Sequence, residues 1–217
     1  MYIYKQNHCL PLCPYTRKPR LAAHKQVKHF NASNVVKWTK EYDTTRLVDT
    51  NSGGPANNLH VGDVNDIHSY PWPGNPTPSD TQYAMIGEFG GIGAFVDGHM
   101  WTPKGCKTYL HVDTPHDEAQ TYVNMTAKIM ANAKVSVSVY TQTTDLENEC
   151  DGFLNYDRTQ KFGAADLQAV HAANTALIGK PVDCAPLAAV APPVGQAGRA
   201  LREAAAAGDD VLNFRLY

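Results

Sequence analysis

The stretch YAMIGEFGGIG, residues 83 to 93, constrains the fold of this 217-residue chain more than any other. It opens on an apolar run, Ala84-Met85-Ile86, and a lone carboxylate, Glu88, then follows among glycines. A near-continuous apolar run is typical of a parallel strand that is buried on both faces. Such strands occur in α/β folds, where functional residues gather at the carboxyl ends of the strands. We therefore predict an α/β protein with Glu88 at a strand end.

Three further strands and three helices are predicted around this strand. The segments 46–49, 64–70 and 135–140 have strand patterns, and VSVSVY at 135–140 is the clearest of them. One helix is predicted to begin at Asn31 or Ser33, a second at Thr114, and a third spans about 164 to 177. The predicted apolar faces are Val35, Trp38 and Tyr42 in the first helix, Tyr122, Met125 and Ile129 in the second, and Leu167, Val170 and Leu177 in the third.

Composition divides the chain into three regions. Residues 1–29 are basic, show no hydrophobic period and contain prolines at 11, 14 and 19, which predicts an irregular or disordered leader. Residues 30–179 form the patterned body. Residues 180–217 are rich in alanine and proline, which predicts a flexible or weakly helical tail.

Several classes of function are not expected. The net charge of -2 gives no electrostatic basis for binding nucleic acid or an anionic membrane. No apolar run has the length of a membrane-spanning helix, and the N-terminus lacks the pattern of a secretory signal, so the compartment is left open. The motifs of nucleotide-binding loops and serine hydrolases do not occur, and no cofactor is expected.

The five cysteines, at positions 9, 13, 106, 150 and 184, are odd in number and widely spaced. Their number and spacing argue against a disulfide framework. Cys9 and Cys13 have no second Cys or His pair at the spacing of a zinc finger, so free thiols are the favoured interpretation.

Polar residues follow the predicted strands and form the candidate site. Glu88 ends one strand, and the other strand ends carry Asp66, His68 and Tyr70, and Tyr140 and Gln142. A carboxylate in this position can act as a nucleophile, a general base or a metal ligand, or it can simply face water. Asp63, Asp66 and His68 could ligate a metal, but no further histidine motif accompanies them, so hydrogen bonding is the favoured role of His68.

A second cluster lies in YTQTTDLENECDGFLNYDR, residues 140 to 158. Its acidic residues are Asp145, Glu147, Glu149, Asp151 and Asp157. They can be a solvated loop, or they can bind sugar hydroxyls while the aromatic rings of Tyr140, Tyr156 and Trp101 cover the sugar's C–H surface. Composition alone favours the solvated loop.

Three of these stretches together resemble glycoside hydrolase family 2. DIHSYPWPGNP at 66–76, MIGEFGGIG at 85–93 and YTQTTDLENECDGFLNYDR at 140–158 look like the carboxyl half of the catalytic barrel in its bacterial β-galactosidase-like members. VVKWTKEYDTTRLVD at 35–49 is similar to the helix and strand that precede them. The resemblance covers residues 31 to 178, and it depends on the order of the motifs rather than on any single one.

The resemblance implies a partial (β/α)8 TIM barrel, made of strands 5–8 with their helices, and a protein that hydrolyses O-glycosidic bonds. Glu88 would be the nucleophile of a retaining mechanism at the end of the seventh strand. Tyr70 would hold its carboxylate, the flanking glycines would leave room for a sugar ring, and the substrate contacts would come from Asp66, His68, Tyr70, Trp101, Tyr140 and Gln142. Neither a metal nor a cofactor is implied.

The chain departs from the family where the acid/base is expected. That residue would be the Glu of an Asn-Glu pair at the end of the fourth strand, but YTRKPRLAAHKQV at 15–27 contains no carboxylate. We therefore expect a truncated form without the first four strands, prone to self-association through exposed sheet edges. The alternatives are a catalytically inactive remnant that binds carbohydrate or a partner chain and, third, a metal-dependent hydrolase that uses Asp66 and His68.

Overall fold

Eight strands and three helices make up the described part of the chain in the computed structural model. The structure describes residues 2–4, 20–21, 31–50, 52–53, 59–102 and 106–179, which all belong to one compact unit. In chain order the elements are β1 (Tyr2–Tyr4), β2 (Arg20–Leu21), α1 (Ala32–Tyr42), β3 (Val48–Asp49), β4 (Val64–Ser69), β5 (Tyr83–Gly90), β6 (Ile92–Gly93), β7 (Leu110–His111), α2 (Pro115–Ala131), β8 (Val135–Thr141) and α3 (Ala164–Gly179).

A four-stranded sheet with the order β1-β8-β5-β4 forms the centre of the fold. The strands β4, β5 and β8 are parallel to one another, and β1 is antiparallel to β8. Two smaller parallel pairs, β2 with β3 and β6 with β7, accompany it. The predicted mixed α/β fold with parallel strands is confirmed, and β5, paired on both sides, has the apolar sequence that a central strand requires. The partial (β/α)8 barrel remains a prediction.

Helix α2 forms as predicted and supplies much of the core. The Thr114 hydroxyl accepts a hydrogen bond from the backbone N–H of Asp117. Pro115 occupies the first turn, where a backbone N–H would have no acceptor within the helix. The predicted stripe of Tyr122, Met125 and Ile129 is buried. It packs on the sheet beside the other core residues, among them Ile86, Phe89, Val135, Tyr140, Phe153, Phe162, Val170 and Leu177. No helix in the described ranges is long and apolar enough to cross a bilayer.

The predicted apolar faces of α1 and α3 need correction. Trp38 and Tyr42 of α1 are 61% and 63% exposed and stack on each other, while Val36 and Thr39 are buried. In α3 the predicted core residue Leu167 is exposed, although Val170 and Leu177 are buried. In α1 the residues that pack against the body of the fold are smaller than the exposed aromatic residues.

The leader predicted to be irregular contains two short strands. Tyr2–Tyr4 pairs with the Val137–Val139 part of β8, and Arg20–Leu21 pairs with β3. Neither segment has a strand period of its own, so partner strands with unpaired backbone groups determine these pairings. The rest of the leader, and the tail predicted at 180–217, lie outside the described residues.

Cys106 and Cys150 form a disulfide, although the number and spacing of the cysteines argued against disulfides. Their Cα atoms are 5.5 Å apart although the residues are separated by 44 positions. The loops after β6 and β8 run side by side here, since the N–H of Cys150 donates to the Lys107 carbonyl oxygen at 3.0 Å. Sequence spacing carries no trace of this proximity. Closing a loop of this length stabilises the fold by about 4 kcal/mol through the unfolded chain's entropy. Cys9, Cys13 and Cys184 lie outside the described residues.

Self-association is the first testable expectation. The sheet is flanked by β1 on one side, and on the other by β3, which contacts β4 and pairs with the two-residue β2. Such short outer strands leave backbone groups of their longer neighbours available to a second chain. We expect size-exclusion chromatography with light scattering to give a mass above the 23.7 kDa of one chain. A stable monomer over a range of protein concentrations would contradict this.

Candidate active site

Glu88 lies near the carboxyl end of β5, where a bulge sets its direction. Ile67 of β4 faces Ile86 of β5, but the next residue, His68, faces Glu88, so Gly87 is the extra residue on β5. A bulge of this kind re-aims the side chains that follow it. The Glu88 side chain is 28% exposed, and it is therefore accessible from solvent while its base is held by the sheet.

Two side chains converge on one oxygen of Glu88. The Tyr70 hydroxyl donates a hydrogen bond to Oε2 at 2.7 Å, and His68 Nδ1 lies 3.0 Å from the same atom. The Tyr70 hydroxyl is also 2.9 Å from Thr141 Oγ1 at the end of β8. Three neighbouring strands thus contribute to the position of one carboxylate.

The ring of a second tyrosine packs against the ring of Tyr70. The ring of Tyr109 stacks on it at 3.8 Å between centroids and 9° between planes. Gly91 permits this, because a Cβ there would lie 2.4 Å from the Tyr109 ring. Burial, and then the charge of Glu88, raise the pKa of Tyr70, so its hydroxyl stays a donor at neutral pH. Sequence reasoning did not identify Tyr109, which no motif marks.

His68 is almost inaccessible, because its side chain is 5% exposed. On the side away from Glu88, its Nε2 is within hydrogen-bond distance of Ser52 Oγ and 3.4 Å from Asp66 Oδ2. Burial lowers the pKa of His68, but the close carboxylates of Asp66 and Glu88 outweigh it and raise the pKa to about 9. The imidazole is therefore a cation between two carboxylates at neutral pH.

Asp66 and the glycines pack together beneath the site. Asp66 is buried, and a Cβ on Gly87 would lie 2.2 Å from its Oδ1. A Cβ on Gly90 would in turn meet the Tyr140 ring at 2.2 Å. The glycines beside Glu88 therefore make room for the protein's own side chains, and the expectation that they also leave space for a sugar ring stays a prediction.

Tyr140 and Gln142 do not reach Glu88 in this arrangement. The ring of Tyr140 is buried against Phe89 and Tyr122, and its hydroxyl donates to the backbone oxygen of Asp151. The amide of Gln142 donates to Asp151 Oδ1 at 2.6 Å. Side chains alternate along a strand, so Thr141 rather than Tyr140 faces Tyr70. That alternation was the available signal for Thr141, and sequence reasoning missed it.

Trp101 lies in the loop between β6 and β7. Its ring is 53% exposed and lies 5.0 Å from that of Tyr156. It lines an open cavity of about 350 Å³ together with Asp97, Gly98 and Met100. The structure thus places an accessible aromatic ring at the surface, but no contact joins it to Tyr70, His68 or Glu88 among the contacts of the described residues.

The acidic loop divides into buried and exposed residues. Asp145 and Asp151 are buried, whereas Glu147, Glu149 and Asp157 are exposed. Lys161 Nζ lies 3.0 Å from Asp145 Oδ1 and 3.4 Å from Glu118 Oε2, and all three side chains are almost fully buried. The loop is therefore not uniformly solvated, because two of its five acidic side chains are buried.

The metal hypothesis gains no support. Among residues 31–50, 52–53, 59–102 and 106–179, no three His, Cys, Asp or Glu side chains converge as a metal site. Asp66 and His68 lie side by side, but as an ion pair with Glu88 beyond it.

The protonation of three buried groups makes stability pH-dependent. Burial raises the pKa of Asp151 to about 6 and the pKa of Glu118 to about 8. The neighbouring carboxylates raise the pKa of His68 to about 9. Each group then binds its proton more tightly in the folded than in the unfolded state, where their values are 3.8, 4.5 and 6.5. By linkage, the free energy of unfolding falls as pH rises from about 4 to about 9.

This dependence can be measured by urea unfolding at a series of pH values. We expect a higher midpoint at pH 5 than at pH 8.5, and a flatter profile for Glu118→Gln, which cannot lose a proton. A midpoint that rises between these two pH values would show that the buried groups titrate in the opposite direction.

Comparisons with known proteins give likeness of fold. No protein-family model matches the chain, and no curated protein matches it in sequence. An agarase, AgWH50C, has a similar structure with a TM-score of 0.53 and 15% identity over 70% of this chain and 26% of the agarase. An exo-beta-agarase gives 0.52 and 16% over 70% of this chain and 23% of that one. A beta-glucuronidase from Bacteroides uniformis gives 0.43 and 15%, over 67% of this chain and 19% of its own.

The two agarases carry the structural argument, since their TM-scores exceed 0.5. At this identity they show the fold alone: the described residues have a mixed α/β fold similar to part of each agarase. This chain spans about a quarter of the length of the agarases it matches.

Proposed function

We propose that this chain belongs to a retaining glycoside hydrolase, similar to family 2, in which Glu88 is the nucleophile. The observation that carries the proposal is the partly exposed Glu88 carboxylate at the end of a central parallel strand, with Tyr70 and His68 both directed at its Oε2. Donors on one oxygen fix the direction of the other, and a positioned anion is what attack on a sugar requires. The glycosidase fold of the agarases supports this choice of reaction class.

The reaction runs in two displacements. A Glu88 oxygen attacks the anomeric carbon, the bond from that carbon to the leaving oxygen breaks, and the electron pair leaves with that oxygen. Water then attacks the same carbon from the opposite side, the ester bond to Glu88 breaks, and the proton of the water passes to a base. Two inversions give net retention of configuration.

The first step needs an acid for a poor leaving group, and the retaining mechanism places that second carboxyl about 5 Å from the first. The first acidic residue in the sequence is Glu41, so the segment before α1 offers none. This observation favours a second candidate function, that of a chain which binds carbohydrate or a partner chain without turnover. The Glu88 anion would in that case contribute to binding only.

Trapping of the ester tests the proposal without an acid. The chain is incubated with 2,4-dinitrophenyl 2-deoxy-2-fluoro-β-galactoside, and with the corresponding glucuronide and mannoside, because dinitrophenolate leaves unprotonated. We expect a gain of one fluorosugar in the intact mass, and peptide mapping should place it on Glu88. A label on any other residue refutes the assignment, and no label from any of the three sugars favours the binding function.

A further inference from the structure

Ser52, Asp66 and His68 form a group beneath Glu88 that the proposed reaction does not use. His68 touches Glu88 through Nδ1 and the other two residues through Nε2. Because its side chain is 5% exposed, His68 is poorly placed to contact a substrate, which was its predicted role. Its position between two carboxylates calls for a different one.

The burial of Asp66 requires a cation nearby. Among the described residues, neither of its carboxylate oxygens accepts a hydrogen bond. A buried carboxylate without such partners is costly unless a positive charge compensates it. The His68 imidazole, with Nε2 at 3.4 Å, is the group placed to do this. The same positive charge then acts on Glu88 at 3.0 Å on its other side.

Several described residues near His68 bear on its charge. His68 lies on β4, which also carries Asp66 and is directly followed by Tyr70. The neighbouring strand β5 carries Glu88. The strand β3, which contacts β4, carries the buried Asp49, and the segment after it carries the neutral Ser52. These described neighbours are acidic or neutral, and each acidic group among them favours the imidazolium.

We propose that Asp66, His68 and Ser52 act as a positioning unit for Glu88: the His68 cation fixes Oε2 and keeps the carboxylate ionised, while Asp66 and Ser52 hold the ring. This rests on the proposed function insofar as Glu88 is the nucleophile, but the charge coupling itself needs no substrate. Tyr70 supplies a neutral hydrogen bond to the same oxygen, and His68 supplies the charge. Without that charge, Asp66 and Glu88 would be two like charges in one partly buried site, and one of them would hold its proton more tightly.

The coupling can be measured directly by NMR. Chains with 13C-labelled glutamate carboxyls are titrated, and the Glu88 signal is identified by its loss in Glu88→Gln. We expect the Glu88 titration midpoint in His68→Gln to lie about one to three pH units above that of the unaltered chain, which is the shift that a close opposite charge produces. His116→Gln, which removes a histidine paired with Asp166 on the helices, is the matched control and should leave the midpoint unchanged. An unchanged midpoint in His68→Gln overturns the proposal.

A second measurement covers the case in which His68→Gln does not fold. In the unaltered chain, the 15N signals of the His68 ring should titrate near pH 9, and the midpoint should fall in Asp66→Asn. A midpoint near the ordinary 6.5 overturns the proposal. Neither NMR result depends on turnover, so failure of fluorosugar labelling would count against the function of Glu88 and not against the positioning unit.

Labelling kinetics then connect the unit to the reaction. In Ser52→Ala and His68→Gln, the acidic limb of the labelling rate should move to higher pH, and the maximum rate should fall. A uniform loss of rate with an unshifted limb would indicate a structural role only, and it would overturn the positioning role.

Discussion

The replacement Glu88→Gln should lower kcat/KM for 2,4-dinitrophenyl β-galactoside on the order of 10⁴-fold or more, as loss of a covalent nucleophile does in other enzymes. Glutamine keeps the size of the side chain and can still meet Tyr70, so the loss would come from the missing anion. Initial rates of dinitrophenolate release at 400 nm, roughly the absorbance maximum of that ion, give the measurement directly. The substrate isolates the first displacement, because its leaving group needs no proton.

Glu41→Gln is the matched control, since Glu41 is an exposed glutamate on α1 that faces Lys37 four residues away. It should leave the rate unchanged. Azide gives an independent check: in Glu88→Ala it can enter the vacated space and form a glycosyl azide of inverted configuration. A residual rate in Glu88→Gln within tenfold of the unaltered chain would exclude Glu88 as the nucleophile.

The replacement Lys161→Met should destabilise the fold by about 3–5 kcal/mol, which is the usual effect of removing one partner from a buried ion pair. Lys161 Nζ is the cation between Asp145 and Glu118 in the core. These carboxyls also accept backbone hydrogen bonds, Asp145 from Gly152 and Glu118 from Ala94, each at 2.8 Å. Losing the cation would therefore loosen the loops after β6 and β8 together.

Urea unfolding followed by tryptophan fluorescence measures this effect. Lys128→Met is the control, because Lys128 is an exposed lysine over the Trp72 ring and its loss should cost about 0.5–1 kcal/mol. The penalty in Lys161→Met should shrink at low pH, since Glu118 already holds its proton there and protonation of Asp145 removes the remaining unpaired charge. A penalty below about 1 kcal/mol at pH 7 would show that Lys161 does not compensate a buried negative charge there.

The secondary structure of the centre could be predicted because its signals are local. The apolar run before Glu88, the alternation of VSVSVY and the Thr114 cap each depend on a few adjacent residues, and β5, β8 and α2 form where these signals place them. The contact between Tyr70 and Glu88 was also expected, but only through resemblance to a family, because eighteen residues separate the two in sequence.

Predictions failed where two local solutions were equally good or where no local signal exists. The sequence of α1 offers two stripes of comparable hydrophobicity, and only packing selects Val36 and Thr39 over Trp38 and Tyr42. The disulfide and the Lys161 network join segments that are distant in sequence, so neither has a periodic signature.

By itself the sequence determined the α/β class, the central strand and the placement of a carboxylate at its end, because hydrophobic period and capping act over a few residues. The tertiary structure decided what surrounds that carboxylate. His68 meets Glu88 only because a bulge at Gly87 shifts the register between two strands, and Asp66 fits only because that residue has no Cβ. Register and close packing are properties of neighbouring strands, and no single strand encodes them.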